Sequence, residues 1–325
     1  MDTSNPHDLL LSVRLMTYNH APFIEEAMRS VDAQQTNFEY EVVVGDDFST
    51  DGNMERIQQF ESENPKAHWK ILQRSKGDAY HKERLKNGRV QNFYDLMKHC
   101  KGKYVALLDG DDYWTDTNKL QLQVDFLEAH PEAVGCFHNS VVVDEHSKET
   151  WPRYFEGEDG TWYDQEACLK TLRSSYSTAA LVIRNDAIQD QLEQFLQIGT
   201  DFILELMVTN HGKLCFIDKS MSAYRFHEGG IWQGSTEAQN NAEIIKRYLF
   251  LYRNEPFRSR YNNYLWNFII KFYHNQLRRA ESDAERKAIK RQIQTFLAPM
   301  EWRTFRYYGK RLQDSLRYRF KKLRK

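Results

Sequence analysis

Three clusters of residues able to do chemistry recur in the first third of the chain. Thr17-Tyr18-Asn19 comes first, then Asp46-Asp47-Phe48-Ser49-Thr50-Asp51-Gly52, then Asp109-Gly110-Asp111-Asp112-Tyr113-Trp114. Two of the three hold several carboxylates. Like charges held close repel, and desolvation adds to the cost, so crowded carboxylates imply a compensating cation or strong donor. Hard oxygen ligands suit Mg²⁺ or Mn²⁺, which take one or two carboxylates together with a substrate diphosphate. A single Asp-x-Asp is an ordinary surface loop. Two acidic clusters directly after neighbouring buried strands carry more weight.

The elements that must position these clusters alternate. Leu9–Met16 reads as a strand, and a helix follows with Pro22 in its first turn and Phe23, Ala27, Met28 and Val31 on one face. Tyr40–Val44 is a valine-rich strand, Met54, Ile57 and Phe60 repeat at helical spacing, and Trp69–Leu72 is a third strand. Val90, Phe93, Tyr94 and Met97 mark a helix before Tyr104–Leu108, an apolar run suited to a central strand buried on both faces. Leu120, Val124 and Leu127 mark the next helix. This alternation predicts an α/β fold with an open, mostly parallel sheet between helices, and such sheets bind ligands outside the carboxyl ends of their strands. The middle region is less regular: Val134–His138, Ala179–Ile183 and Lys213–Ile217 read as strands, Asp201–Asn210 as a helix, and Gly157–Tyr163 as a loop. From about Thr236 the pattern is all-helical. One apolar stripe runs through Phe257, Tyr261, Tyr264, Leu265, Phe268 and Phe272, a shorter helix covers Ala284–Leu297, and a last stripe runs from Phe305 to Leu323.

The 325 residues, 41% hydrophobic and 28% charged, exclude a disordered, collagenous or disulfide-scaffold chain. No apolar run is long enough to span a bilayer, and Met1–Leu10 lacks the pattern of a signal peptide. Cys100, Cys136, Cys168 and Cys215 form no CxxC pair and read as small buried thiols, which points to a reducing, cytoplasmic address. The net charge of -1 conceals two opposite parts: residues 1–240 carry 23 basic and 39 acidic side chains, residues 241–325 carry 22 and 7.

In order and in kind, the pieces Ser12–Asn19 (SVRLMTYN), Val42–Gly52 (VVVGDDFSTDG), Gly102–Trp114 (GKYVALLDGDDYW), Gly199–Leu206 (GTDFILEL) and Tyr224–Gly230 (YRFHEGG) resemble the family 2 glycosyltransferases of the GT-A fold. The resemblance runs across residues 9–235. It implies a catalytic domain over 1–235, with a nucleotide-binding half to about 115 and an acceptor half beyond it, and a basic helical region over 236–325.

By that resemblance Thr17, Tyr18 and Asn19 would line the nucleotide base. Asp47 would accept from the base ring N–H, and Asp46 would shape the turn. An imide donor favours uracil over cytosine, hence a UDP-sugar. The same Asp46–Asp51 run also suits capping of the next helix, with Ser49 or Asp51 at the N-cap, and both uses can hold at once. Asp109, with Gly110, would meet the ribose or reach the metal through water, and Asp111 would bind Mn²⁺ or Mg²⁺ directly with Asp112 behind it. Arg89 would contact base or diphosphate, or stand solvated at a helix start. Asp201 would be the base that deprotonates the acceptor hydroxyl, opposite the leaving diphosphate, so that the anomeric centre inverts. Relatives often carry Glu-Asp where this chain has Thr200-Asp201. His227 would close over the metal or diphosphate at the head of a glycine-rich lid, Gly229 to Gly234, that holds Trp232. Trp114 and Trp232 are candidates for acceptor or lid contacts.

Residues 302–325 hold ten Lys/Arg and one acid, Asp314, with apolar residues at spacings of three and four. That is the pattern of an interfacial helix on anionic lipid, on the cytoplasmic face of a membrane; docking on the acidic body or on another subunit of an oligomer is the plain alternative. The expected activity is inverting transfer from a nucleotide-sugar to a glycan or lipid-linked glycan in surface polysaccharide biosynthesis. Two other classes compete. A haloacid-dehalogenase-type phosphatase would use Asp109 as nucleophile, but Asp112 and Tyr113 stand where that motif has Gly-Thr. A nucleic-acid-binding protein would use the basic tail, which matches no such motif and leaves the carboxylates unexplained, so no nucleic acid is expected.

Overall fold

A computed structural model describes residues 9–171, 176–230 and 237–297. Two compact units divide the chain, Met1–Thr236 and Glu237–Lys325.

The first unit is built on one ten-stranded mixed sheet. Its strands are β1 (Leu11–Thr17), β2 (Tyr40–Asp46), β3 (His68–Ile71), β4 (Tyr104–Asp109), β5 (Tyr113–Trp114), β6 (Ala133–Val143), β7 (Glu149–Trp151), β8 (Trp162–Tyr163), β9 (Leu181–Arg184) and β10 (Lys213–Arg225). They lie in the order β3-β2-β1-β4-β9-β6-β10-β5, with β7 beside β6 and β8 beside β10. One parallel block joins β3, β2, β1 and β4, and a second joins β6 and β10. Between them β9 runs antiparallel to both β4 and β6.

Five helices accompany the first parallel block: α1 (Ile24–Asp32), α2 (Asn53–Ser62), α3 (Ala79–Asn87), α4 (Val90–His99) and α5 (Lys119–Ala129). In α1 the apolar residues Ile24, Ala27, Met28 and Val31 fall at helical spacing and are all buried. They meet Leu11, Val13 and Leu15 of β1 and Ala106 and Leu108 of β4 in the main core. Farther along come α6 (Gln165–Thr171), α7 (Asp186–Gln189), α8 (Leu192–Phe195) and α9 (Asp201–Val208). The four cysteines are buried and form no disulfide.

The sequence expectation shortens two strands. β6 and β10 continue well past His138 and Ile217, and β10 does so through register shifts between Ile217 and Ser222. A bulge breaks the alternation that marks a strand in sequence. The end of the expected Gly157–Tyr163 loop pairs with β10 as β8. Helix α3 gave no apolar signal because it buries none of its side chains; the Asp78 carboxylate, which accepts from the His81 N–H, starts it.

The second unit contains α10 (Glu237–Arg253), α11 (Phe257–Arg279) and α12 (Asp283–Leu297). Tyr248 of α10 stacks on Phe268 of α11 at 3.7 Å between centroids, and Tyr252 meets Phe296 of α12 edge-on. Of the expected α11 stripe, Phe257 and Leu265 are buried and Phe268 carries the stack on Tyr248, while Ile269, Ile270 and Tyr273 complete the buried face. Backbone at Tyr261 is non-helical, and its ring is not buried. No described helix is long and apolar enough to cross a membrane. The basic tail, residues 302–325, and Trp232 lie outside the described residues.

Candidate active site

The parallel register brings the three clusters to one edge. Thr17 pairs with Asp46 and Met16 with Asp109, so β1, β2 and β4 end level. The Asp47 N–H donates to the Thr17 carbonyl at 3.0 Å and the Gly110 N–H to that of Met16 at 2.8 Å. Gly110 is required by closeness: a Cβ there would come within 2.7 Å of Thr17 Oγ1 and 2.9 Å of Ile24 Cδ1.

In the β2 turn the carboxylates are occupied by the protein. Asp46 accepts from the Ser49 N–H (2.9 Å) and hydroxyl (2.5 Å) and from Asn53 Nδ2 (2.8 Å), which also donates to Thr17 Oγ1. Asp46 therefore holds the turn's shape. Asp51 Oδ2 accepts from the Ala21 N–H ahead of α1, and its Oδ1 from the Asn53 N–H. The N-cap of α2 itself is Gly52, at φ +89, a left-handed position that favours glycine. Asn19 staples the turn to β1: its N–H donates to Ser49 Oγ, and its Oδ1 accepts from the Thr50 N–H. Tyr18 projects beside it, about half exposed.

Asp47 is 5% exposed and accepts from Arg84 Nε at 2.6 and 2.9 Å and from the Tyr80 hydroxyl at 2.8 Å. Both partners come from α3. Burial, partly offset by the Arg74 charge, pushes the Tyr80 hydroxyl up, so it remains a donor. Arg74 lies 3.6 Å from the Tyr80 ring centroid, pairs with Asp95, and donates to the Asp46 carbonyl. Arg89 stands exposed at the start of α4, and its side chain makes no hydrogen bond or ion pair among the described residues. Two arginines that the sequence reading missed hold the β2 turn, Arg84 at the Asp47 carboxylate and Arg74 at the Asp46 carbonyl.

In the β4 turn the first carboxylate is matched and the others are not. Asp109 accepts from Arg14 Nη1 at 2.6 Å. Arg14 is fully buried beside the Phe93 ring, and its Nε and Nη2 have no hydrogen-bond partner among the described residues. Asp111 meets two imidazoles instead: His227 Nε2 is 3.2 Å and His20 Nε2 3.6 Å from its Oδ2. Burial would raise the Asp111 carboxyl, but the His227 hydrogen bond and the charge of His20 bring it below the usual range. The His227 ring packs against Phe23 at 4.9 Å. Asp112 is buried and accepts from the Arg225 N–H at 2.8 Å. Its carboxyl is pushed well above the ordinary value by burial and by the neighbouring Asp111 charge.

Arg225 fixes this turn from behind. Its Nε donates to the Asp111 carbonyl, its Nη1 to Ser147 Oγ and the carbonyls of Asp144 and Glu145, and its Nη2 to Glu26 at 2.5 Å. Trp114 is buried, donates to the Ala179 carbonyl, and faces Lys119 in the core. Asp201 opens α9 behind its N-cap Thr200 and accepts from Thr178 Oγ1 at 3.2 Å. Burial, followed by the charges of Asp112, Tyr154, Asp111 and Asp201, raises the Tyr224 hydroxyl.

The donors around Asp111 fit a divalent cation. One carboxylate with imidazole nitrogens beside it suits Mn²⁺. No group of three or more His, Cys, Asp or Glu side chains among the described residues forms a ready metal cage, and Mg²⁺ or Mn²⁺ ordinarily completes its shell with substrate phosphates.

Residues 12–192 match the sequence profile of glycosyl transferase family 2. The chain belongs to that family. An uncharacterized protein of Mycobacterium tuberculosis is 29% identical over 69% of this chain and 61% of its own, so the chain spans about three fifths of the length of that relative. A Bacillus subtilis protein named as a teichuronic acid biosynthesis glycosyltransferase, TuaG, is 23% identical over 80% of this chain and 93% of its own. Among solved structures, Staphylococcus aureus TarS 1-349 in complex with UDP-GlcNAc is similar in fold, at 16% identity and a TM-score of 0.58, covering 85% of this chain and 74% of that one. Family membership displaces the phosphatase and nucleic-acid alternatives. The Arg14 pair speaks against the former as well, because a nucleophilic Asp109 would need its carboxylate free.

Proposed function

We propose that this family 2 enzyme transfers a sugar from a UDP-sugar, with a divalent cation, to a hydroxyl of a glycan or lipid-linked glycan, inverting the anomeric centre. One observation carries the reading. The β1, β2 and β4 ends converge so that, among the described residues, Asp111 faces only imidazoles while Asp109 and Asp47 are held by arginines. A nucleoside diphosphate supplies the partners this edge lacks. Its phosphates need a cation near Asp111, its ribose hydroxyls an acceptor such as Asp109, and its base a surface such as Tyr18 above the Asp47 turn. The UDP-GlcNAc bound to the TarS fold relative, and the name of TuaG, support a UDP donor and a role in surface polysaccharide synthesis.

In this reading Asp201 takes the proton of the acceptor hydroxyl as that oxygen attacks the anomeric carbon. The bond to the diphosphate oxygen breaks with its electron pair staying on the diphosphate, and the configuration inverts because attack and departure are on opposite faces. A bound Mn²⁺ or Mg²⁺ would supply positive charge against the departing diphosphate; Asp111 with the imidazole of His227 or of His20 would hold it, and the diphosphate would complete its shell. Arg225 keeps the Asp111 turn in place, and Arg14 keeps Asp109 in one orientation. The C-terminal region and the membrane surface enter only through the basic composition of residues 302–325, which supports a peripheral site on the cytoplasmic face.

A thermal-shift screen of UDP-, GDP- and dTDP-sugars with and without Mn²⁺ tests the donor assignment, since a ligand that binds the native state raises its melting temperature. Stabilisation by UDP-sugars that requires Mn²⁺ is expected; no shift with any nucleotide-sugar overturns it. Asp201→Asn separates the base from the donor site: donor hydrolysis persisting while transfer is lost supports the assignment, and full transfer refutes it.

A further inference from the structure

Three of the largest exposed apolar side chains lie together beside the candidate site. Trp151 is 56% exposed, Phe226 49% and Tyr154 38%. The Trp151 and Phe226 rings are 6.2 Å apart and stand at 82° to each other. Tyr154 packs edge-on against Tyr224 at 5.2 Å. The strand register explains the grouping: Tyr224 of β10 pairs with Val142 of β6, and Val142 with Trp151 of β7. Phe226 follows Tyr224 by two residues and its N–H donates to the Val143 carbonyl at 2.7 Å, which extends the strand and keeps both rings on one face.

Exposed aromatic rings are normal singly, but a contiguous group rimmed by polar residues marks a binding surface. This one is continuous with the candidate site. Phe226 lies between Arg225, which bonds the Asp112 carboxylate and the Asp111 carbonyl, and His227, which meets the Asp111 carboxylate. The rim is polar, with the Arg153–Asp218 ion pair beside the Tyr154 turn. Two rings meeting at a near right angle make a corner with short walls rather than the broad flat surface a protein partner needs. The ligand that matches is a pyranose, whose C–H face is apolar and whose edge carries hydroxyls.

We propose that Trp151 and Phe226 form a subsite for a pyranose ring of the acceptor glycan, next to the sugar that receives the transfer. The assignment rests on the glycosyltransferase reading above and deepens it. It assigns the β6–β7–β10 face to the acceptor and leaves the β1–β2–β4 edge to the nucleotide. Both rings are exposed, so truncating them removes a surface and leaves the core intact.

Saturation-transfer NMR tests it, with the full chain in diamagnetic Mg²⁺ and saturating UDP, and with cellotetraose, chitotetraose, maltotetraose and laminaritetraose as probes. At least one probe should receive saturation at its ring protons. Its affinity should fall about tenfold or more in Trp151→Ala and in Phe226→Ala, and recover in Trp151→Phe. UDP affinity of Trp151→Ala should match that of the native chain. Unchanged saccharide affinity in both alanine variants overturns the subsite, as does the absence of any contact between the native, UDP-bound chain and the four probes. A ring that instead holds the donor sugar would weaken UDP-GlcNAc relative to UDP in Trp151→Ala, and that also overturns the acceptor assignment. Saccharide contact at Trp151 without any UDP binding would keep the subsite and overturn the donor reading.

Discussion

Asp47 and Asp111 end neighbouring turns on the same sheet edge, yet their surroundings are opposite. Asp47 is buried under a guanidinium and a phenol from α3, two strong donors, the phenol ring itself stacked on Arg74. Asp111 has no lysine or arginine side chain on its carboxylate among the described residues, only two imidazoles at 3.2 and 3.6 Å. The nearest guanidinium, that of Arg225, turns to the Asp111 carbonyl instead. A carboxylate satisfied within the fold organises its turn. One left short of positive charge is suited to receiving it from outside. The sequence shows two similar acidic runs, and the difference between them is made by residues elsewhere in the chain.

The contrast can be broken by substitution. The largest effect is expected from Asp111→Ala: donor turnover should fall by about 10²–10³-fold, on the scale of removing one group that stabilises developing charge, and the Mn²⁺-dependent melting shift with UDP should disappear. Turnover near the native rate would place the cation elsewhere. Arg84→Met should act on the fold rather than on the metal. It leaves the buried Asp47 carboxylate without its cation, at about 1–3 kcal/mol once the partial exposure of Arg84 is allowed for. A urea midpoint reads this, and an unchanged midpoint would mean that Asp47 is not held as the geometry indicates.

His20→Ala should weaken Mn²⁺ binding in the presence of UDP by about tenfold, measured by the free Mn²⁺ signal in electron paramagnetic resonance. Affinity equal to that of the native chain would leave His227 as the imidazole that matters. The smallest effect concerns Asp112. Its carboxyl titrates above the unfolded value, so the native state binds the extra proton, and stability falls as pH rises from the unfolded value through the folded one. Asp112→Asn keeps an oxygen for the Arg225 N–H without that penalty. Its melting temperature without metal should exceed the native value at pH 7.5 and converge with it toward pH 4. A constant difference across that range would refute the assignment.

What could be read in advance followed from locality. An apolar run directly before a carboxylate run is contiguous in sequence, so the ends of β1, β2 and β4 and their clusters were visible, as was the order of the pieces that carry the family resemblance. The partners were not. Arg84 approaches Asp47 from a helix with no buried face, and hydrophobic spacing has nothing to report there. Arg14 sits inside β1, where its charge breaks an otherwise apolar run; an arginine in the middle of a buried strand was a signal that could have been used. His20 follows the first cluster directly, but a lone histidine has no pattern of its own to mark it in sequence. Trp151 and Phe226 meet only because β6, β7 and β10 pair, a register that the bulged β10 hides.

The placement of β9 has a consequence for synthesis. Four residues, Leu181–Arg184, separate the two parallel blocks by pairing with β4 on one side and β6 on the other. The ribosome delivers β4 and β6 well before β9. Until Leu181 emerges, Val105 and Ala106 lie on an unprotected strand edge of mostly apolar residues, whose unpaired backbone groups other chains can extend. A chain interrupted anywhere between β6 and β9 therefore carries an open edge that the finished protein never shows, and the hazard ends when one short strand slots into place.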